Sequence, residues 1–315
     1  MKNENIYYLG PKQTNIEYCK FFCGSVTLFG NSKNNNLSYE KNFCFEYWNK
    51  NNIFKQIIIY NSLLNKIKTE CNIMLHDQYL ESLCTFPDNV HKICCNDINM
   101  LNLLNNKIKT HELLSGLVPM LEYKYSNLND INKNIFTNNT NLVFQKEIGS
   151  GGALTYIVNK NNFDLFKRFN NSNEVYLISE YKDNNIPLNV HCIIFRDYIE
   201  ILKPSIQILE LNGKIEYIDS DYKTILDNNI KNKIYEYSYI ICEKLKTLKY
   251  IGVLGIDFIY SNNELFFIEI NPRFQGSTRY LDRILQENNF KSIYEYNYNA
   301  FYNIETQQIK KYFYE

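Results

Sequence analysis

Short apolar runs in the first third of the chain predict a small α/β domain. Residues 6–9, 56–60 and 72–76 are almost entirely apolar, and polar residues flank each run. Runs of this length are typical of strands that are buried on both faces of a sheet. We therefore predict three buried strands and assign residues 1–98 to an N-terminal α/β domain.

The rest of the chain alternates between helical spacing and strand-like segments. Apolar residues three or four positions apart indicate amphipathic helices, and short β-branched or aromatic runs indicate strands. The pattern predicts a mixed α/β (α+β) protein, and its length allows two or three subdomains. The predicted helices cover residues 99–117, 161–169 and 228–248, and the predicted strands include residues 174–181, 189–194 and 198–204.

Residues 253–270 predict a β-hairpin that carries a metal site. Two apolar segments, 253–260 and 265–270, flank the turn-forming residues 261–263. Glu269 and Asn271 point to one face because strand side chains alternate. A three-residue turn would place Asp257 opposite Phe267 and diagonal to Glu269, about 7–8 Å away. Two carboxylates and an amide oxygen are hard ligands that suit Mg²⁺, with phosphates and water completing the shell.

The alternative is an ordinary amphipathic hairpin whose acids face solvent. Residues 266–270 read Phe-Phe-Ile-Glu-Ile and are apolar on both faces, which disfavours that interpretation. A carboxylate within such a strand is costly unless a cation pairs with it.

A glycine-rich loop between two predicted strands indicates an anion-binding segment. Gly149, Ser150, Gly151 and Gly152 follow Lys146 and precede another apolar run. Glycines allow the backbone to approach a ligand closely, and successive N–H groups can form a nest for phosphate oxygens. The loop differs from a P-loop and from a dinucleotide fingerprint, both of which lead into a helix. A plain flexible hairpin is the alternative.

Charge and composition narrow the class of protein. The 315 residues carry 34 basic and 34 acidic side chains, so the formal net charge is zero. This balance disfavours a nucleic-acid partner. No N-terminal signal segment and no membrane-length apolar run is found in the sequence, so we expect a cytoplasmic protein without a membrane partner. Nine cysteines, an odd number, disfavour a disulfide scaffold.

These motifs together resemble the ATP-grasp superfamily of ATP-dependent carboxylate–amine ligases. The resemblance is carried by Gly-x-Asp-Phe at 255–258, Glu-x-Asn-Pro-Arg at 269–273 and the Gly-Ser pair at 276–277. Asn-Asn-Lys at 105–107 and Val-Pro at 118–119 match the family's first helix, and the order of motifs across residues 99–280 also agrees. One departure is Gly255, where several family members have an arginine.

The resemblance implies a fold, cofactors and a set of site residues. The implied ATP-grasp fold has an N-terminal α/β domain, a lid subdomain at residues 99–180 and a C-terminal antiparallel-sheet subdomain that encloses the nucleotide. ATP and Mg²⁺ (or Mn²⁺) are the implied cofactors. The implied nucleotide-binding residues are Lys107, Lys146, Gly149, Ser150, Gly151, Gly152, Glu180 and Tyr181; the metal ligands are Asp257, Glu269 and Asn271; Lys203 and Arg273 act on the γ-phosphate or the transferring phosphoryl group.

The implied activity is the joining of a carboxylate to an amine through an acyl phosphate, with release of ADP and phosphate. An amino acid or short peptide is the expected substrate, and the family often forms homodimers. Two alternatives remain open at this point. One is a non-catalytic nucleotide-binding regulatory module, and the other is a carboxylase or carbamoyl-phosphate type of subunit.

Overall fold

In the computed structural model of the protein, the described residues form three β-sheets and the helices around them. The structure describes residues 5–17, 19–30, 41–45, 52–137, 140–149, 154–170, 173–309 and 313. The strands are β1 (Ile6–Lys12), β2 (Gly24–Phe29), β3 (Lys41–Cys44), β4 (Cys71–Leu75), β5 (Val90–Ile93), β6 (Tyr123–Asn127), β7 (Leu142–Lys146), β8 (Thr155–Val158), β9 (Val175–Glu180), β10 (Ile186–Ile194), β11 (Ile199–Ile201), β12 (Ser205–Leu211), β13 (Ile215–Asp221), β14 (Gly252–Ser261) and β15 (Glu264–Asn271). The helices are α1 (Ile53–Leu64), α2 (Leu80–Leu83), α3 (Ile98–Asn105), α4 (Lys107–Leu114), α5 (Phe163–Phe169), α6 (Asn228–Thr247), α7 (Thr278–Glu287) and α8 (Ile293–Tyr302).

The first sheet is parallel and has the strand order β3-β2-β1-β4-β5. Its central strand β1 is buried on both faces. Tyr7 and Leu9 pack with α1, whereas Ile6 and Tyr8 pack against the C-terminal helices. Burial on both sides explains why this strand reads as a continuous apolar run. The strands predicted at residues 6–9 and 72–76 are present as β1 and β4.

The strand predicted at residues 56–60 is wrong, because this segment lies within helix α1. The buried positions of α1 are Gln56, Ile59, Tyr60, Leu63 and Leu64, which follow the helical spacing of three and four residues. The side chain of Asn52 caps the helix by accepting a hydrogen bond from the backbone of Lys55. The local β-branched run is outweighed by an amphipathic pattern that continues for three turns.

The second sheet is antiparallel, with the order β6-β9-β7-β8. One face packs on α5 through an aromatic core that includes Phe144, Phe163, Phe166 and Tyr176. Alternation along β7 therefore places Phe144 and Lys146 on the helix-covered face and Gln145 on the opposite face.

The third sheet is antiparallel, with the order β13-β12-β10-β14-β15 and with β11 paired to β10. One face packs on α6 and contributes Ile256 and Phe258 to the core. The side chain of Asp227 caps the N-terminus of α6. The other face meets α7, α8 and the first sheet through residues such as Ile193 and Val253. The predicted site residues of β14 and β15 lie on this second face.

The helix predicted over residues 99–117 is two helices, α3 and α4, that break at Asn106. The backbone of Asn106 is extended, and its side chain caps α4 by accepting a hydrogen bond from the Lys109 N–H. Asn106 also forms an isolated β-bridge with Ile148, and its amide donates to Glu147. The break therefore places Lys107 in the first turn of α4, within reach of Gly149, where the glycine-rich loop begins.

Candidate metal and nucleotide site

The turn of the β14–β15 hairpin sets the register of the acidic residues. Asn262 and Asn263 both have positive φ, at 52° and 63°, which is the geometry of a two-residue type I′ turn. Ser261 consequently pairs with Glu264. The three-residue turn predicted from the sequence is wrong, since asparagine tolerates the left-handed conformation that the tighter turn requires.

A β-bulge then brings Asp257 directly opposite Glu269. Phe258 pairs with Phe267 and Asp257 pairs with Glu269, so Ile268 is an extra residue on β15. The extra residue shifts the alternation of β15. Phe267 remains in the core while Glu269 lies on the same face as Asp257. The predicted pairing of Asp257 with Phe267 and its diagonal relation to Glu269 are therefore wrong, and the two carboxylates lie closer in register than predicted.

Amide side chains connect the two carboxylates. Asn271 Nδ2 donates to Asp257 Oδ2 at 3.1 Å and to Glu269 Oε1 at 3.4 Å. Asn189 on the neighbouring strand β10 donates to Asp257 Oδ1 at 2.6 Å, and Gln207 donates to the same oxygen at 3.2 Å. The site thus collects three predicted ligand residues around one point on the third sheet.

This donor set fits a partial magnesium shell. The structure brings together the buried carboxylate of Asp257, the largely buried carboxylate of Glu269 and one amide, Asn271, whose oxygen accepts a hydrogen bond from Arg273 Nη2 at 2.7 Å. A half-turn of that amide exchanges its nitrogen and oxygen without changing its shape. Within the described residues, no group of three or more His, Cys, Asp or Glu side chains is suited to a metal. Phosphate oxygens and water would have to complete the shell, as Mg²⁺ usually requires.

The electrostatics of the carboxylate pair is asymmetric. Burial, and after it the neighbouring charge of Glu269, raise the pKa of Asp257 from 3.8 to about 7. Burial is the largest influence on Glu269 and would raise its pKa, but the charge and hydrogen bond of Lys107, together with the charge of Arg273, outweigh burial and lower that pKa below its ordinary value. In the metal-free protein, Glu269 is therefore ionised, while Asp257 holds a proton up to about neutral pH.

Lys107 links the carboxylates to the base of the glycine-rich loop. Its side chain is buried, and Nζ lies 2.8 Å from Glu269 Oε2 and 2.9 Å from the carbonyl oxygen of Gly149. The backbone N–H of Lys107 also donates to the Glu147 carbonyl at 2.8 Å. One lysine thus contacts both predicted halves of the site.

The other predicted nucleotide residues are distributed around the second sheet. Lys146 lies on the helix-covered face, where it pairs with Glu174 at 2.5 Å, and the buried Gln145 occupies the opposite face. Glu180 is exposed and pairs with Lys182 at 2.5 Å. The backbone N–H of Tyr181 donates to the Asn141 carbonyl. Ser150, Gly151 and Gly152 lie outside the described residues.

Of the two residues predicted to act in phosphoryl transfer, Arg273 adjoins the carboxylates and Lys203 does not contact them. Besides Asn271, Arg273 approaches Asp77 of the first sheet, with Nε 3.7 Å from Oδ2. Lys203 is half-buried after β11, and it makes no hydrogen bond or ion pair within the described part of the chain.

Gln275 and Asn189 are site residues that sequence reasoning missed. Gln275 Oε1 accepts a hydrogen bond from Asn189 Nδ2 at 2.9 Å. A Cβ atom at Gly255 would lie 2.2 Å from Gln275 Oε1, so the Gln275 side chain fills the space beside this glycine. Gly255 was visible as a departure from the family pattern, but only the fold shows which side chain lies over it.

The structure combines one parallel sheet, two antiparallel sheets and a pair of carboxylates beside a buried lysine. This combination is typical of a class of enzymes that bind a nucleotide. The model of the ATP-grasp domain matches residues 104–277, more than half of the chain. The chain belongs to the ATP-grasp family. The predicted family is thereby confirmed, and the predicted cofactors, ATP and Mg²⁺, are those typical of it.

Solved structures confirm the fold. N5-carboxyaminoimidazole synthetase from Staphylococcus aureus, complexed with ADP, is 14% identical over 96% of this chain and 78% of its own, with a TM-score of 0.60. The L-amino acid ligase from Bacillus licheniformis is 12% identical over 98% and 78%, with a TM-score of 0.64. The biotin carboxylase domain dimer of Hydrogenobacter thermophilus 2-oxoglutarate carboxylase, complexed with MgADP, ADP and bicarbonate, is 12% identical over 96% and 70%, with a TM-score of 0.65.

Three further observations bear on the sequence-based expectations. Comparison with curated protein sequences gives no significant match. All nine cysteines are free thiols. The helices in the described residues are all too short or too polar to span a membrane.

Proposed function

We propose that this protein is an ATP-dependent ligase that activates a carboxylate as an acyl phosphate for attack by an amine. The observation that carries the proposal is the Asp257–Glu269 pair, with Lys107 against Glu269 and Arg273 against Asn271. Buried like charges opposite each other are costly unless cations compensate them. Such a pair is suited to a magnesium-bound polyphosphate.

The proposed reaction has two steps. A carboxylate oxygen attacks the γ-phosphorus of ATP, and the bond from that phosphorus to the ADP oxygen breaks. The amine then attacks the acyl carbon, inorganic phosphate leaves, and the amine loses a proton. Phosphoryl transfer of this kind depends mainly on positioning and on neutralising charge.

Specific side chains perform these tasks in the proposal. Asp257, Glu269 and Asn271 would hold Mg²⁺, which supplies neutralisation of the phosphate oxygens. Lys107 exchanges its contact with Glu269 for a phosphate oxygen. Arg273 donates its planar fork to the transferring phosphoryl group or to the acyl phosphate.

The remaining nucleotide contacts are proposed at the second sheet. Gly149, Ser150, Gly151 and Gly152 let the loop backbone cover the phosphates, and Glu180 and Tyr181 hold the nucleoside. We assign Lys146 and Lys203 to phosphate oxygens. For Lys146 this requires the side chain to exchange its pair with Glu174 for the phosphate.

Small carboxylates and amines, such as amino acids or short peptides, are the proposed substrates. The zero formal charge supports a small-molecule partner over a nucleic acid. We also propose that the chain has three domains, at residues 1–98, 99–180 and 181–315. We further propose that the protein is cytoplasmic and forms a homodimer. Light scattering on the purified protein measures the last of these directly.

An ADP-release screen tests the proposed reaction. Wild-type protein is incubated with MgATP and pairs of amino acids or small acids, with and without bicarbonate, beside Glu269→Gln and Glu264→Gln. Glu264 is the matched control because it lies exposed on the same strand. The proposal expects ADP release that requires an acid and an amine and is lost only in Glu269→Gln.

Other outcomes of this screen reject the proposal. Release that depends on bicarbonate would indicate a carboxylase. ADP release that is independent of any substrate, and equal in all three proteins, would refute a role for the carboxylate pair. Nucleotide binding with no release under any pairing would indicate a regulatory module.

A further inference from the structure

The strand order of the first sheet reverses between β1 and β4. In the order β3-β2-β1-β4-β5, the chain moves outward from β1 to β3 and then crosses to β4 and β5 on the other side. Open parallel sheets bind ligands at the carboxyl ends of the strands where the order reverses. His76 and Asp77 follow β4 at this point, and Gly10 lies near the end of β1.

A buried hydrogen-bond chain holds the ring of His76 at this end of the sheet. The Tyr8 hydroxyl lies 2.8 Å from His76 Nδ1, and Asn15 Nδ2 donates to the same hydroxyl at 3.0 Å. Tyr8 is fully buried, and His76 and Asn15 are more than nine-tenths buried. A Cβ atom at Gly10 would lie 2.1 Å from the Tyr8 hydroxyl, so this arrangement requires glycine at position 10.

Counting donors and acceptors assigns the tautomer of His76. The Tyr8 oxygen accepts from Asn15, and its own proton needs an acceptor because an unpaired buried donor costs about 1–3 kcal/mol. His76 Nδ1 is the available acceptor, so the ring proton lies on Nε2. Burial, followed by the charge of Arg273 and by His191, lowers the pKa of His76 to about 3, which keeps the ring neutral.

The Nε2–H of His76 is left available on a segment that contacts Phe274 and Arg273. Nε2 points away from Tyr8, and it has no hydrogen-bond partner among the residues that the structure describes. The His76 carbonyl accepts from the Phe274 N–H at 3.1 Å, and Asp77 approaches Arg273 at 3.7 Å. The segment that carries His76 is therefore docked on the segment that follows the metal ligands.

We propose that His76 Nε2–H binds an oxygen of the substrate carboxylate and positions it beside Arg273. The inference rests on the proposed ligase function and deepens it by naming a substrate-binding residue on the first sheet. A neutral donor next to a guanidinium suits this role. The carboxylate oxygen that the His76 N–H binds is the one that remains as the carbonyl oxygen of the acyl phosphate. Tyr8 and Asn15 act as positioning residues that fix the ring and its tautomer.

Nitrogen NMR of histidine-labelled protein tests the arrangement without any knowledge of the substrate. The chain has four histidines, so His76→Gln assigns the signal, and the exposed His91 is an internal reference. The proposal expects a neutral Nε2–H tautomer of His76 from pH 5 to 8, and a saturable shift of Nε2 on titration of sodium acetate with MgADP present. Sodium chloride at equal ionic strength is the control.

The contrary NMR results are equally specific. An Nδ1–H tautomer, a titration near the ordinary pKa of about 6.5, or an Nε2 signal that acetate leaves unmoved would each overturn the proposal. Loss of the tautomer in Tyr8→Phe is the expected companion result.

Steady-state kinetics with a carboxylate that supports ADP release by the enzyme completes the test. Each variant is first checked for cooperative unfolding. His76→Ala should raise KM for the carboxylate by about 10- to 100-fold, the value of one hydrogen bond to a charged group, with a smaller effect on kcat. His76→Gln, which keeps an N–H near the Nε2 position, should recover most of this loss. An unchanged KM in His76→Ala overturns the inference.

The two proposals fail in distinguishable ways. If no carboxylate releases ADP but acetate still shifts His76, then the ligase function is rejected and the anion-binding role of His76 survives. If ADP release depends on an acid–amine pair but acetate leaves the His76 signal unmoved, then the ligase function survives and the role of His76 is rejected.

Discussion

Replacing Lys107 with methionine tests the pairing that organises the site. In wild type, Lys107 Nζ is buried 2.8 Å from Glu269 and 2.9 Å from the Gly149 carbonyl. Methionine fills a similar volume but leaves the largely buried Glu269 without its closest cation. Removing one partner of a buried pair costs about 3–5 kcal/mol in the free energy of unfolding. We expect a loss of this size in the metal-free protein at pH 7.

Urea unfolding in EDTA measures this loss of unfolding free energy. Two further variants show whether the loss comes from the Lys107–Glu269 pair. Lys109→Met, on the exposed side of the same helix, should change the free energy of unfolding by less than about 0.5 kcal/mol. Combining Lys107→Met with Glu269→Gln removes both charges, so the double variant should be more stable than the sum of the single losses by about 2 kcal/mol or more. Additive losses, or a Lys107→Met loss below about 1 kcal/mol, would refute the reasoning.

Three further predictions concern neighbouring parts of the structure. Asp257 in the metal-free protein binds its proton more tightly when folded, since its pKa is about 7 against an ordinary 3.8. Its contribution to stability is therefore present below pH 3.8 and is lost as pH rises towards 7. The free energy of unfolding of wild type relative to Asp257→Asn should accordingly fall between pH 5 and 8 in EDTA. A difference between the two proteins that does not change with pH would contradict this. Asp282→Ala should cost about 2–4 kcal/mol by thermal or urea unfolding, because the buried Ser292 hydroxyl and a helix N–H lose their acceptor; a loss under about 1 kcal/mol contradicts it. Gly255→Ala should cost about 1–3 kcal/mol by crowding Gln275, and adding Gln275→Ala should recover most of that loss; no recovery would locate the strain elsewhere.

Local chemistry was sufficient to predict the elements that carry the site. The acidic hairpin has apolar strands around a turn of asparagines, and the long helix α6 has an uninterrupted amphipathic stripe. Both patterns persist over many residues, so no tertiary contact overrides them. The segment at 56–60 was misassigned because its β-branched run is only part of a longer helical pattern.

Details of the site depended on geometry that one sequence does not display. The bulge at Asp257 changes which side chain opposes it, and a single extra residue on β15 produces that change. The orientation of Lys146 follows from the face that Phe144 buries. The contact of Arg273 with Asp77 joins residues almost two hundred positions apart. Such relations arise from packing between sheets rather than from local propensity.

The central claim is that Asp257, Glu269 and Asn271 hold a divalent cation that carries a nucleotide. Titration of Mn²⁺ and ADP, followed by electron paramagnetic resonance of the metal, tests it directly in wild type, Asp257→Asn, Glu269→Gln and the control Glu264→Gln. The account predicts that the first two variants lose at least about tenfold in affinity for Mn²⁺–ADP, while the control binds like wild type. Equal affinity in all four proteins would contradict it.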